Sequence, residues 1–209
     1  MDNPSTRQQV MTILRKDGPL SANELAKALG ITDIAVRRHL NTLERDRMLR
    51  VETVRQAMGR PLYMYSLTEE AENAFPKHYA DITLEILKDV QDMQGPEMID
   101  AIFERREGRL ELKYKERIET GMPLEVRVEQ LSQLQEDRGY MAEWIKAEDG
   151  SRYFITEHNC PIHSIAQNFT QACDSELSLF RKVLGAEVEQ LECKAKGGSR
   201  CIYEVRPKQ

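Results

Sequence analysis

All four cysteines of this 209-residue chain fall between His158 and Tyr203, at positions 160, 173, 193 and 201, and the 157 residues before that stretch contain none. Thiols used as small buried hydrophobes have no reason to gather, so the clustering suggests one shared task. A shared task constrains the fold. Cys160 and Cys173 are 13 positions apart, and one continuous helix between them would hold them about 20 Å apart along its axis. The chain must therefore turn, and Asn168 to Ala172 is the place for it. Cys173-Asp174-Ser175-Glu176 then opens a helix that carries Leu177, Phe180 and Leu184 as far as Gly185. Pro161 stands where a first helical residue would, so Cys160 also precedes a helix. Both thiols would lie near helix N-termini, where partial positive charge favours the thiolate. Cys193 and Cys201 flank Lys196-Gly197-Gly198-Ser199 and can approach each other across a hairpin between strands Val188–Cys193 and Cys201–Val205.

No hydrophobic leader segment opens the sequence, which predicts a reducing, cytoplasmic setting in which thiols hold metal rather than form disulfides. The longest apolar runs are a few residues, short of the about 20 that span a bilayer. Zinc would accept four thiolates, but its structural sites present C-x2-4-C knuckles, and no pair here has that spacing. An iron–sulfur cluster tolerates wider spacing, because its ligands can come from separate loops. His158 and His163 flank Cys160. Either could replace a cysteine, or donate to one from outside, and neither is counted in the ligand set.

The other end of the chain carries a different pattern. Residues 1–66 hold eleven Lys and Arg against seven Asp and Glu, a balance of +4 in a chain whose net charge is −5, leaving −9 for the remainder. Such asymmetry predicts an anion-binding head on an acidic body. Val10, Ile13 and Leu14 mark a first helix over Thr6–Lys16, stopped by Asp17-Gly18-Pro19. Ser21 and Glu24 have capping-box spacing in front of Leu25, Ala26 and Leu29, so a second helix runs from about Ala22 to Leu29. Gly30 ends it, and a third begins at about Asp33 with Val36, Leu40 and Leu43 inward. Two short helices joined by a turn containing Gly form a helix-turn-helix. Arg37, Arg38 and Asn41 face outward on the third helix, with Thr32 at its start, and these are side-chain types that pair with guanine and adenine edges. Leu49–Val54 and Leu62–Leu67 then read as a β-hairpin, the wing, with Gly59 and Pro61 shaping its tip and Arg55 and Arg60 placed to reach phosphate or the minor groove.

Beyond Thr68 the pattern turns to long charged helices, over about Lys77–Met93 and, after the Gly95-Pro96 hinge, Glu97–Thr120. Their apolar stripes predict a homodimer, since palindromic operators are read by two-fold proteins. A helix over Leu124–Gln135 follows, then a hairpin over Tyr140–Lys146 and Ser151–Thr156. The class is mainly α with small β elements (α+β): a winged helix-turn-helix at 1–70, a helical dimerisation segment at 71–122, and a C-terminal α+β cluster-binding domain at 123–209. No nucleophile or acid–base pair suggests an enzyme, and the carboxylates read as solvated helix faces.

The head segment ELAKALGITDIAVRRHLNTLE, the wing GRPLYMYSLT, EHNCPI, Cys173–Glu176 and CKAKGGSRCIYEV together resemble the SufR-like repressors, winged-helix regulators of iron–sulfur cluster assembly operons related to the DeoR and ArsR groups. The resemblance runs from about residue 7 to 205. It implies a homodimeric repressor that binds double-stranded DNA operators and senses iron–sulfur supply through a cluster in each C-terminal domain, 4Fe-4S ahead of 2Fe-2S. The family's three cluster cysteines map by spacing onto Cys160, Cys173 and Cys201. Cys193 takes the fourth thiol position, and zinc is the alternative metal.

Overall fold

The computed structural model describes residues 4–57, 60–119 and 121–208. The chain is mainly helical with two small antiparallel sheets and divides into two compact units, Met1–Lys77 and His78–Gln209. Gly59 and Thr120, named above at the wing tip and at a helix end, lie outside the described residues.

In the first unit, α1 (Thr6–Asp17), α2 (Ala22–Leu29) and α3 (Asp33–Arg45) bury Val10, Leu14, Leu25, Val36, Leu40 and Leu43 against one another. The helix starts follow from local chemistry. Ser21 Oγ accepts from Glu24 N at 3.3 Å while the Glu24 carboxylate accepts from Ser21 N at 2.8 Å, so the capping box forms as its spacing predicts. The Ser21 hydroxyl also donates to the Glu24 carboxylate at 2.6 Å, and this bond, with that from Ser21 N, holds the Glu24 carboxyl below its ordinary pKa. Gly30 ends α2 at φ +66°, a left-handed conformation that costs glycine nothing. β2 (Leu49–Val54) and β3 (Leu62–Leu67) pair from Leu49↔Leu67 to Val54↔Leu62. A two-residue strand that sequence reading missed, β1 (Leu20–Ser21), pairs with Tyr65 and Met64, which sets the order β1-β3-β2.

The second unit contains α4 (Tyr79–Gln94), α5 (Pro96–Lys115), α6 (Leu124–Asp137), a four-residue α7 (His163–Ala166) and α8 (Gln171–Leu184). Its sheet has the order β4-β5-β7-β6, with β4 at Ala142–Lys146, β5 at Tyr153–Glu157, β6 at Glu187–Glu192 and β7 at Cys201–Arg206. Alternation along β5 sends Tyr153, Ile155 and Glu157 inward. There Ile155, Tyr203 and Val205 pack with Phe103 of α5, Leu131 of α6 and Leu179 and Phe180 of α8, and the rings of Phe180 and Tyr203 meet edge to face at 4.9 Å. Cys173, Cys193 and Cys201 belong to this same core. β6 is an edge strand whose pairing with β7 shifts register between Gln190 and Glu192, and Glu187 and Glu189 are exposed along it. On α4, Tyr79, Ile82, Ile86 and Met93 are exposed although apolar or aromatic.

The structure departs from expectation at element ends. α5 stops at Lys115 rather than Thr120, and the chain between the last two strands is not a tight hairpin: it contains a single 3-10 turn, Lys194–Lys196.

Candidate DNA-reading helix and thiol site

Val36, Leu40 and Leu43 fix the rotation of α3, so the outward face follows from the core. Arg37, Arg38 and Asn41 are all exposed. Their environments differ. Arg37 donates to both carboxylate oxygens of Asp33 one turn earlier, and that hydrogen bond holds its pKa above the ordinary value. Among the described residues Arg38 has no ion pair with a carboxylate. Thr32 caps the helix, accepting from Ala35 N at 3.2 Å, so its hydroxyl is engaged by the backbone. Arg55 and Arg60 are exposed on the loop between β2 and β3. Arg50, on β2, donates to Ser66 Oγ at 2.8 Å and braces the hairpin.

Three helices followed by a two-stranded hairpin, with an arginine-bearing third helix, form the geometry that lays a helix in the major groove. Residues 6–59 match the family described as HTH domain. The first unit is a winged helix-turn-helix. A domain of this family and geometry is one that binds DNA. Among curated proteins none matches. Distantly similar solved structures include the adhesin competence repressor AdcR of Streptococcus pyogenes, 22% identical over 47% of this chain and 72% of that one, TM-score 0.30. ZitR of Lactococcus lactis, a zinc-responsive MarR family member, is 23% identical over 49% of this chain and 70% of its own, TM-score 0.31. A trafficking protein particle complex subunit 3 of Naegleria fowleri, covalently bound to palmitic acid, is 13% identical over 64% of this chain and 98% of its own, TM-score 0.41.

In the second unit the four cysteines come from four separate segments. Cys160 follows β5, Cys173 sits in the first turn of α8, Cys193 follows β6, and Cys201 opens β7. Cys173 and Cys193 lie 3.8 Å apart, sulfur to sulfur. Cys201 Sγ accepts from Lys194 N at 3.4 Å. Charge on Cys193 would raise the pKa of each of the other three thiols, so the four share one electrostatic neighbourhood. Even so, among the described residues no three His, Cys, Asp or Glu side chains gather closely enough to hold one metal ion.

The expectation that helix N-termini lower these pKa values is overturned. Burial pushes Cys160 up to about 11 and Cys201 to about 12, and it raises Cys173 too. Desolvation of a thiolate in a core outweighs the partial charge of a helix end. At Cys160 that helix is also only four residues long and begins at His163, two residues beyond Pro161. Cys160, Cys173 and Cys201 are therefore protonated at neutral pH in the metal-free site, and ligation must displace their protons.

A buried polar network that sequence reading missed lies beside the thiols. Arg138 donates to the Tyr114 hydroxyl, Tyr114 donates to Gln135 Oε1 at 2.6 Å, and Gln135 Nε2 donates to Glu157 at 2.7 Å. Tyr140 donates to Glu176, with Arg106 4.0 Å away from the same carboxylate. Glu157 is 1% exposed and Glu176 5%, so these carboxylates are not the solvated faces expected of them. Burial, reinforced by the charge of Glu176, pushes Glu157 up to about 8. Burial raises Glu176 as well, against the pull of Tyr140, Arg106 and Arg138. One signal for Glu157 was available in the period-2 pattern of β5, which places it in line with Tyr153 and Ile155.

The two histidines flanking Cys160 part ways. His158 Nε2 is 2.8 Å from Glu143 Oε1 on β4, whereas His163 Nδ1 is a buried atom with no hydrogen-bond partner.

Proposed function

We propose that the chain is a homodimeric repressor whose operator binding is controlled by an iron–sulfur cluster held through Cys160, Cys173, Cys193 and Cys201, acting on genes of iron–sulfur cluster assembly. The observation that carries this reading is the convergence of every cysteine in the chain, from four separate segments, on one buried neighbourhood. The donor set fits a cluster better than a single zinc ion. Thiolates on one tetrahedral zinc, with bonds of about 2.3 Å, stand about 3.8 Å apart. Cys173 and Cys193 meet that distance, but among the described residues no third ligand closes on the same point. A cluster offers a separate iron to each thiolate and so accepts a wider spread. When bound it supplies an oxidation- and supply-sensitive centre.

The protein's own part is to exclude water and to tie the site to its scaffold. Cys173 opens α8, which packs on α5, while Tyr140, Glu176 and Arg106 link the region of Cys173 to that helix. The exposed stripe Tyr79, Ile82, Ile86 and Met93 on α4 supports dimerisation through the helices, independently of the thiols. Reciprocal linkage requires that a group which alters operator affinity is itself bound differently when DNA is present.

Iron, sulfide and zinc analysis of anaerobically purified protein tests the cofactor: iron with stoichiometric sulfide supports the reading, and colourless protein with one zinc per chain replaces it. Equal operator affinity of loaded and stripped protein in the same salt would end the switch. Sedimentation of stripped protein as a monomer at micromolar concentration would end helix-driven dimerisation.

A further inference from the structure

At about 100° per residue, Ile34, Arg38, Asn41 and Arg45 fall within an arc of about 60° on α3, directly opposite Val36, Leu40 and Leu43. All four are exposed, and Ile34 is 76% exposed in the first turn of the helix. Arg37 stands to the flank of this line, already held by Asp33. The crest of the helix thus runs aliphatic, guanidinium, amide, guanidinium, beginning at the helix N-terminus, the end of a recognition helix that meets base edges.

Ile34 has no structural task that accounts for it. It covers none of the core, its β-branch is mildly unfavourable in a helix, and an exposed isoleucine has nothing to offset the water it orders. Arg38 and Asn41 carry forks that match guanine and adenine edges. An aliphatic group between them and the N-terminus matches the one apolar feature of the major groove, the C5-methyl of thymine.

We infer that Ile34 is a specificity residue that contacts a thymine methyl at a fixed position of each operator half-site, next to the base read by Arg38. The inference rests on α3 being the reading helix. It adds a sensitivity to the thymine methyl that none of the polar residues could supply, because hydrogen-bonding groups are indifferent to that methyl.

The probe is the tightest duplex that the intact wild-type protein enriches from a random-sequence pool, with each thymine replaced singly by deoxyuridine, which removes the methyl and leaves every hydrogen-bonding group. Burial of one methyl-sized group predicts about fourfold weaker binding at one thymine per half-site. Ile34→Ala should bind the thymine and uracil duplexes equally, and Ile34→Val should keep most of the difference. Because the side chain is exposed, neither variant disturbs folding, and the thermal melt of each should match wild type. Wild-type protein indifferent to uracil at every position, or Ile34→Ala that still discriminates, overturns the inference while leaving the reading helix in place. Failure of a different kind is distinguishable: if Arg38→Ala binds the selected duplex as wild type does, α3 does not read DNA and this role of Ile34 falls with it.

Discussion

Asp33→Asn isolates what one carboxylate does to the reading helix. In the folded protein Arg37 spends its guanidinium on Asp33, an i,i+4 pair whose side chains are 51% and 41% exposed. A pair so exposed contributes only about 0.3–0.5 kcal/mol to stability. Its effect on DNA is larger, because it neutralises a cation on the face that approaches phosphates. Freed, Arg37 can release one further condensed counterion, which steepens the slope of log K against log salt by about 0.9. Between about 200 and about 50 mM salt, that slope amounts to about 3.5-fold extra affinity for the variant at the lower salt. Fluorescence anisotropy of a labelled non-cognate duplex at four salt concentrations reads the slope without interference from base contacts. The variant also loses an acidic residue from the first turn, worth about 0.3–1 kcal/mol against the helix dipole, so a thermal melt must accompany the titration. A slope equal to that of wild type would refute the argument that Asp33 holds Arg37 back.

Ser21→Ala removes the hydroxyl that caps α2 and should shift the urea unfolding of the N-terminal unit by about 1 kcal/mol, whereas Ser21→Thr, which keeps a hydroxyl that both accepts from Glu24 N and donates to its carboxylate, should shift it by much less. In metal-free protein, Glu157 keeps its proton up to about pH 8 when folded but loses it near 4.5 when unfolded. The stability this contributes is full below the lower value and is lost as pH rises through the higher one, so denaturant midpoints should fall between pH 5 and 8, and Glu157→Gln should flatten that decline. Cys193→Ser leaves Cys173 without its 3.8 Å neighbour, and iron analysis of anaerobically purified variant should show cluster loss; full retention would assign the fourth position to another side chain, with the unpartnered His163 Nδ1 the first to test by His163→Ala.

The head was legible because its signals are local. The S-x-x-E spacing of Ser21 and Glu24, the glycine at 30 and the three-four spacing of Val36, Leu40 and Leu43 each act within a turn or two of chain. β1 was not, because Leu20 and Ser21 are a strand only by virtue of Tyr65 and Met64, more than forty residues away. The same division runs through the thiol site. That four segments each deliver a cysteine could be read from spacing and turn residues, but the protonation of Cys160, Cys173 and Cys201 could not. A helix N-terminus is visible in sequence, whereas the desolvation that outweighs it comes from packing of α5, α6 and α8 around the sheet. Glu176 was hidden for that reason: on α8 it is three residues from Cys173, and only the fold reveals that its face is the inward one.

The acidic margin of β6 has a consequence for how concentrated solutions of this protein behave. An open strand edge offers a row of free amides and carbonyls on which another sheet can grow. Here Glu187 and Glu189 stand exposed along that edge, and the register shift between Gln190 and Glu192 bends it out of line. Two copies meeting strand to strand would press carboxylate against carboxylate along a warped border, so growth of ribbons or fibrils from this sheet is discouraged. High salt removes that protection first, by screening the carboxylates, and storage at low ionic strength preserves it.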